Sequence, residues 1–110
     1  MTNIECRNRM RLALDMSKQT GANTSTPEII GDVMALHRLA KRLHRIDERA
    51  SNGELTYAKR DALTASIIHG IGAIVGRYSK VHAIHQGDPR GMSIELTILQ
   101  GPLTRIYHLG

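Results

Sequence analysis

The chain has 110 residues, of which 41% are apolar, and this length and composition predict one folded domain with a modest core. It contains neither Phe nor Trp, so the core must be built mainly from aliphatic side chains and methionine. The formal charge of +5 favours acidic or phosphate-bearing partners, and the single cysteine excludes an internal disulfide and any multi-cysteine zinc site.

No segment has the pattern of a targeting peptide or a membrane span. The first residues, MTNIECRNRMR, lack a long apolar run, and we therefore expect no signal peptide. The apolar stretch 65–75 is too short to cross a bilayer, and His69 interrupts it. A lone thiol fits a reducing compartment, so the sequence predicts a cytoplasmic protein without membrane contact.

The first predicted helix covers residues 4–18. Its inward face is predicted to carry Met10, Ala13, Leu14 and, as a further candidate, Cys6. The polar residues 19–25 that follow, QTGANTS, are turn formers and predict a linker to the next helix.

The second predicted helix has two candidate N-caps. Either Thr26 caps it with Pro27 in the first helical position, or Ser25 caps it in a Ser-x-x-Glu capping box. The helix is predicted to extend to about Ser51, where the following Asn-Gly pair stops it.

One face of this second helix is apolar and the opposite face is basic. At about 100° per residue, the apolar face comprises Leu36, Leu39, Ala40, Leu43, Ile46 and Ala50. The basic face comprises Arg38, Lys41, Arg42, Arg45 and Arg49. These cations either form a solvated helix face, partly neutralised by Glu48, or bind a nucleic acid or another partner through salt-dependent contacts. No aromatic residues are interleaved with them, which argues against a base-stacking platform.

Asp47 falls in the middle of the apolar face, between Leu43 and Ala50. A carboxylate in such a position needs a partner, because burial without one is costly. Either Asp47 makes a structural bond to a helix end or an arginine, or it belongs to a ligand site with Arg90 or Asp88.

The third predicted helix covers roughly residues 56–78. Its apolar side comprises Leu63, Ile67, Ile71, Ile74 and Tyr78. Gly72 and Gly76 are expected to let it approach the second helix closely, which would offset the ~1 kcal/mol that each helical glycine costs relative to alanine. The alternative is a break in the helix near residues 69–72.

A β-hairpin is predicted within residues 82–99, where the flanking residues alternate between apolar and polar with a period of two. Its centre, Asp88-Pro89-Arg90-Gly91, matches a type I turn, which favours Asp first, Pro second and Gly fourth. The turn explains three of these residues, so Arg90 remains as a candidate for ligand binding at the hairpin tip.

A third strand is predicted over residues 103–109, with Arg105 and His108 as polar positions that discourage pairing at the sheet edge. Helices followed by short antiparallel strands predict an α+β fold in a single domain. Two or three helices, over about residues 1–78, would pack on a two- to three-stranded antiparallel sheet over about residues 79–110.

The histidines do not predict a metal centre. His82 and His85 are three residues apart on a strand, so their side chains face opposite sides of the sheet. His37 and His44 share one helix face, but two ligands make no zinc site. We interpret the latter pair as packing or interface residues.

A hydrolase built on His85, Asp88 and Arg90 is an alternative to ligand binding, since these residues supply a base, an acid and a charge clamp. The turn already accounts for Asp88, however. The chain also lacks a phosphate-cradling glycine loop, a nucleophile elbow and paired cysteines. We therefore predict no enzymatic activity and no cofactor.

The sequence resembles a group of small phage and prophage proteins of unassigned function in two segments. The first is the helix end at 47–53, DERASNG, with a small residue before its Asn-Gly pair. The second is the hairpin at 86–96, QGDPRGMSIEL. The resemblance implies a phage accessory protein that acts in the bacterial cytoplasm.

Taken together, these features predict a small non-enzymatic binding protein of phage type that inhibits a host defence system. The basic helix and the hairpin tip would hold a phosphate-bearing ligand, a host protein or a nucleoprotein complex. The residues predicted to bind the ligand are Arg90, Asp88, His85 and Asp47. The alternatives are a nuclease-like or phosphodiesterase-like enzyme and a structural or assembly protein of the virion.

We also expect the chain to form a two-fold dimer, because its predicted apolar faces exceed what two thin layers usually bury. His37 and His44 lie at the rim of the apolar helix face, where a partner would cover them. The edge strand 103–109 offers a second route to pairing. If histidines line the interface, protonation near about pH 6 should loosen it.

Overall fold

A computed structural model describes residues 3–19, 25–78, 80–86, 93–100 and 103–109. This part of the chain contains three helices followed by three strands: α1 (Asn3–Ser17), α2 (Thr26–Ser51), α3 (Tyr57–Val75), β1 (Val81–Gln86), β2 (Ser93–Gln100) and β3 (Leu103–Leu109). The predicted α+β class, with N-terminal helices and a C-terminal antiparallel sheet, is confirmed.

Side-chain caps set the beginnings of α2 and α3. Ser25 is the N-cap of α2, and its hydroxyl accepts a bond from the Glu28 N–H at 3.4 Å, so Thr26 is the first helical residue instead. Thr56 caps α3 in the same way, accepting from the Lys59 N–H at 3.2 Å. Between the two helices the chain reverses at Gly53, whose φ of 76° lies in the left-handed region that favours glycine.

The helices form one layer in which α2 contacts both α1 and α3. α3 runs to Val75 without a break near residues 69–72. The predicted close approach at Gly72 is wrong, because Gly72 is exposed with open space around it. The glycine that faces α2 is Gly70, where an added Cβ would lie 3.6 Å from a methyl carbon of Leu39. Gly76 is the C-cap of α3 and does not lie between the two helices.

The strands form an antiparallel sheet in the order β1-β2-β3, so β3 is an edge strand as predicted. β1 lies against α3, whereas β2 and β3 lie against α2. The side chains that the sheet buries against the helices are Val81, Ile94, Leu96, Ile98 and Leu109. Arg105 pairs with Ile98 and lies on this helix-facing side, where it bonds Asp15 of α1.

The core lies between the helical layer and the sheet. From α2 it takes Ile29, Val33, Leu36, Ala40, Leu43 and Ile46. From α1 it takes Leu12 and Met16, and the predicted inward residue Ala13 packs partly buried against them. The predicted inward positions of Met10, Leu14 and Cys6 are wrong, because Met10 and Leu14 are 64% and 62% exposed and Cys6 is exposed as well. The helix is rotated because Asp15 shares the buried face with Leu12 and Met16 and finds its partners on β3.

Candidate functional site

The structure describes only part of the predicted ligand site. Arg90 and Asp88 lie outside the described residues, and His85 lies in β1, paired with Ile94 of β2. Among the four predicted ligand-binding residues, the side chain of Asp47 alone is described.

Asp47 is buried on α2 with 7% of its surface exposed, as its position on the apolar face predicts. Its Oδ1 has no hydrogen-bond partner among the described residues, and the buried hydroxyl of Thr64 on the neighbouring α3 likewise has none there. Neither a helix end nor an arginine therefore satisfies this carboxylate oxygen. A buried oxygen without a donor is costly, so the burial of Asp47 destabilises the folded state.

The five cations on the basic face of α2 are all exposed to solvent. Arg49 lies 3.5 Å from Glu54, measured between Nε and Oε2. The other four cations make no ion pair with any residue in the described ranges: Arg38, Lys41, Arg42 and Arg45. The opposite side of the same helical turns is buried in the core. The backbone that carries these four charges is therefore held in place.

A buried cluster that the sequence did not predict joins α1 to β3. Asp15 is 1% exposed, and both its carboxylate oxygens accept bonds from Nη1 of Arg105 at 2.9 Å. Tyr107 is two residues further along β3, and its hydroxyl donates to Oδ2 of Asp15. Burial, together with this bond to the carboxylate, raises the pKa of Tyr107 to about 12. The pKa of Arg105 is also raised, by its interaction with Tyr107 first and with Asp15 second.

A second cluster with the same residue types joins α2 to the segment after α3. Asp32 is buried and accepts bonds from Nη1 of Arg77 at 2.8 Å and from the hydroxyl of Tyr78 at 2.5 Å. Burial and the bond to this carboxylate raise the pKa of Tyr78 above its usual range. The two clusters hold α1 and α2 to residues that come much later in the sequence.

Sequence reasoning missed both clusters because their members are far apart in the chain. Asp15 and Arg105 are separated by 90 residues, and Asp32 and Tyr78 by 46. One signal was present: Asp32 lies on the apolar face of α2 beside Ile29 and Val33, just as Asp47 lies beside Leu43. A carboxylate on an apolar face indicates a buried polar contact, although it does not reveal the partner.

Two cavities of about 400 Å³ each flank Arg105 between α1 and β3. The first is lined by polar and apolar side chains: Asn8, Arg11, His37, Arg105, Ile106, Tyr107, His108 and Leu109. The second is lined by Arg7, Met10, Arg11, Leu14, Asp15, Lys18 and Arg105. Arg11 and Arg105 therefore belong to both cavities, and cations predominate among the charged groups around them.

The described histidine, cysteine and carboxylate side chains contain no group of three that could hold a metal ion. Within the same residues, no helix combines the length and the apolar character needed to cross a membrane. Comparison of the chain with protein families, with curated proteins and with solved structures gave no match.

Proposed function

We propose that this chain is a non-enzymatic binding protein that holds the phosphates of a nucleic acid, free or within a nucleoprotein complex, on the basic face of α2. The observation that carries the proposal is the row of exposed cations without a described ion-pair partner: Arg38, Lys41, Arg42 and Arg45. Exposed cations that no described carboxylate neutralises are available to an anionic partner.

The dimensions of the basic face suit a phosphate backbone. Arg38 and Arg45 are separated by about 10 Å along the helix axis at a rise of 1.5 Å per residue. A DNA duplex carries one negative charge per about 1.7 Å of its axis, so this length meets several phosphates at once. The net charge of +5 adds a favourable long-range attraction.

The proposal includes a biological setting. The chain would be a phage accessory protein in the bacterial cytoplasm that inhibits a host defence system by binding its guide nucleic acid, its target or its nucleoprotein complex. This setting is supported by the resemblance of segments 47–53 and 86–96 to small phage proteins. Arg90 is proposed as a second contact to the same partner, since arginine suits the bidentate capture of phosphate.

The test measures nucleic-acid binding by fluorescence anisotropy at several salt concentrations. The logarithm of the binding constant should fall with the logarithm of the salt concentration, with a slope of about −0.9 for each phosphate neutralised. The double variant Arg38→Gln with Arg42→Gln should give a slope that is shallower by about two.

A matched control removes the same charge elsewhere, through Lys59→Gln with Lys80→Gln, two exposed lysines outside α2. This control should keep the slope of the unmodified protein. Equal losses in the two double variants, or a salt profile that is flat from the start, would contradict the proposal.

A further inference from the structure

We propose that the two cavities between α1 and β3 form a binding site for a phosphate monoester, with the phosphate between Arg11 and Arg105. The class of ligand is a small organic molecule with one terminal phosphate, such as a nucleoside monophosphate. This site lies apart from the basic face of α2 and does not depend on the function proposed for that face.

Arg105 is held in a fixed position beside both cavities. Nη1 makes both bonds to the buried carboxylate of Asp15, and the side chain also interacts with Tyr107, so the guanidinium is held in place on that side. The side chain is 36% exposed and lines both cavities, so its outer edge is accessible to a ligand. A guanidinium held on one side by a buried carboxylate loses little conformational entropy when it binds phosphate on the other.

The charged groups around the cavities are mostly positive. The carboxylate of Asp15 is buried and already neutralised by Arg105, so it presents little negative charge to a ligand. Arg7, Arg11 and Lys18 line the second cavity and form no ion pair with a residue in the described ranges. The balance of charge at this place therefore favours an anion.

The size of the cavities and their apolar lining suit a small organic ligand. A volume of about 400 Å³ lies in the range typical of small-molecule sites. Met10 and Leu14 are one helical turn apart, highly exposed, and line the second cavity next to the two arginines. A ring or another apolar group attached to the phosphate can cover these two side chains, and burial of their surface then adds to the affinity.

Isothermal titration calorimetry with AMP tests the site, with adenosine and inorganic phosphate as separate probes. AMP should bind more tightly than adenosine, because the phosphate meets the two arginines. It should also bind more tightly than inorganic phosphate, because the nucleoside covers apolar surface. Absence of AMP binding, or adenosine binding as tightly as AMP, would overturn the proposal.

The variant Arg11→Gln should weaken AMP binding by about ten- to a hundredfold, as expected for loss of a charge-assisted hydrogen bond. Lys59→Gln is the matched control, since it removes an exposed cation on α3 that lines neither cavity and lies outside the basic face of α2. AMP affinity should be unchanged in this control. Equal weakening in both variants would indicate attraction by net charge alone and would overturn the site.

Discussion

At the scale of residues, three aspartates are buried in very different surroundings. Asp15 and Asp32 each accept bonds from one arginine and one tyrosine. Asp47 has an oxygen without a donor. A paired buried carboxylate becomes destabilising when its partner is removed, whereas an unpaired one is destabilising already.

Replacing Asp47 should therefore stabilise the protein. We expect Asp47→Leu to raise the free energy of unfolding by about 1–2 kcal/mol, since the unsatisfied oxygen is removed and apolar contact is gained. Urea denaturation measures the change. A decrease would contradict this expectation, because it would mean that the carboxylate of Asp47 has a stabilising partner.

The same substitution at Asp15 should have the opposite sign. We expect Asp15→Leu to lower the free energy of unfolding by about 2–4 kcal/mol, because Arg105 and Tyr107 lose their acceptor. The effect stays below that for a fully buried pair, since Arg105 keeps part of its surface in water. We expect the two substitutions to shift the urea midpoint in opposite directions. A shift in the same direction would contradict the view that Asp15 stabilises the fold and Asp47 destabilises it.

The raised pKa of Tyr107 predicts a loss of stability in alkaline solution. The folded state holds the phenol proton up to about pH 12, whereas the unfolded chain releases it near the ordinary value of 10.0. The stabilisation is complete below pH 10.0 and disappears as the pH rises through that interval. Tyr107→Phe should reduce the slope of stability against pH there, as measured by denaturation at a series of pH values.

Tyr57→Phe is the control for this measurement, since Tyr57 is 74% exposed and has no bond to a carboxylate in the described residues. It should leave the slope unchanged. Tyr78 contributes with the same sign as Tyr107, so a residual slope is expected in Tyr107→Phe. Identical slopes for the unmodified protein and Tyr107→Phe would contradict the assignment.

At the scale of elements, α2 has an exposed basic face and, opposite to it, a buried apolar face that supports the fold. Reversing the charges at Arg38, Arg42 and Arg45 should change the free energy of unfolding by less than about 0.5 kcal/mol per site, because all three are exposed without ion pairs in the described structure. Leu43→Ala, on the buried face, should cost about 2–5 kcal/mol. Thermal unfolding compares them, and a large loss in the triple variant would show that the basic face supports the fold.

Elements with strong local signals could be predicted from the sequence. The ranges of α2, β1 and β3 follow from capping residues, the Asn-Gly stop and the alternation of apolar residues. The inward face of α1 could not be predicted, because it depends on the bonds that Asp15 makes to residues of β3, which are far away in the sequence. The exposed basic face was predictable from helical periodicity, whereas the cavities beside Arg105 depend on the packing of α1 against β3.

At the scale of the whole molecule, the predicted dimer remains a prediction, but the surface we expect it to use has changed. His37 lines a cavity with Asn8 and Arg105 of its own chain, where α1 and β3 are its neighbours. The exposed apolar side chains of the sheet are Ile84, Leu99 and Ile106, and β3 is an open edge. These features favour a contact through the outer face of the sheet and its β3 edge.

Sedimentation at micromolar concentration tests the dimer. We expect a dimer mass for the unmodified protein and a monomer mass for Ile106→Lys, since a charge in the apolar contact opposes association. Met10→Lys makes the same change on α1 and should remain a dimer. A monomer mass for the unmodified protein would reject self-association.

The two clusters of aspartate, arginine and tyrosine also affect the order in which the chain folds. On a ribosome the helices are made before the sheet, and the partners of Asp15 emerge about 90 residues after it. Until then Asp15 lacks these two partners, although α1 can already pack against α2. Contacts over such separations slow folding, because a long loop must close before they form. Among the described elements, α1 is therefore synthesised first, and its bonds to β3 form last.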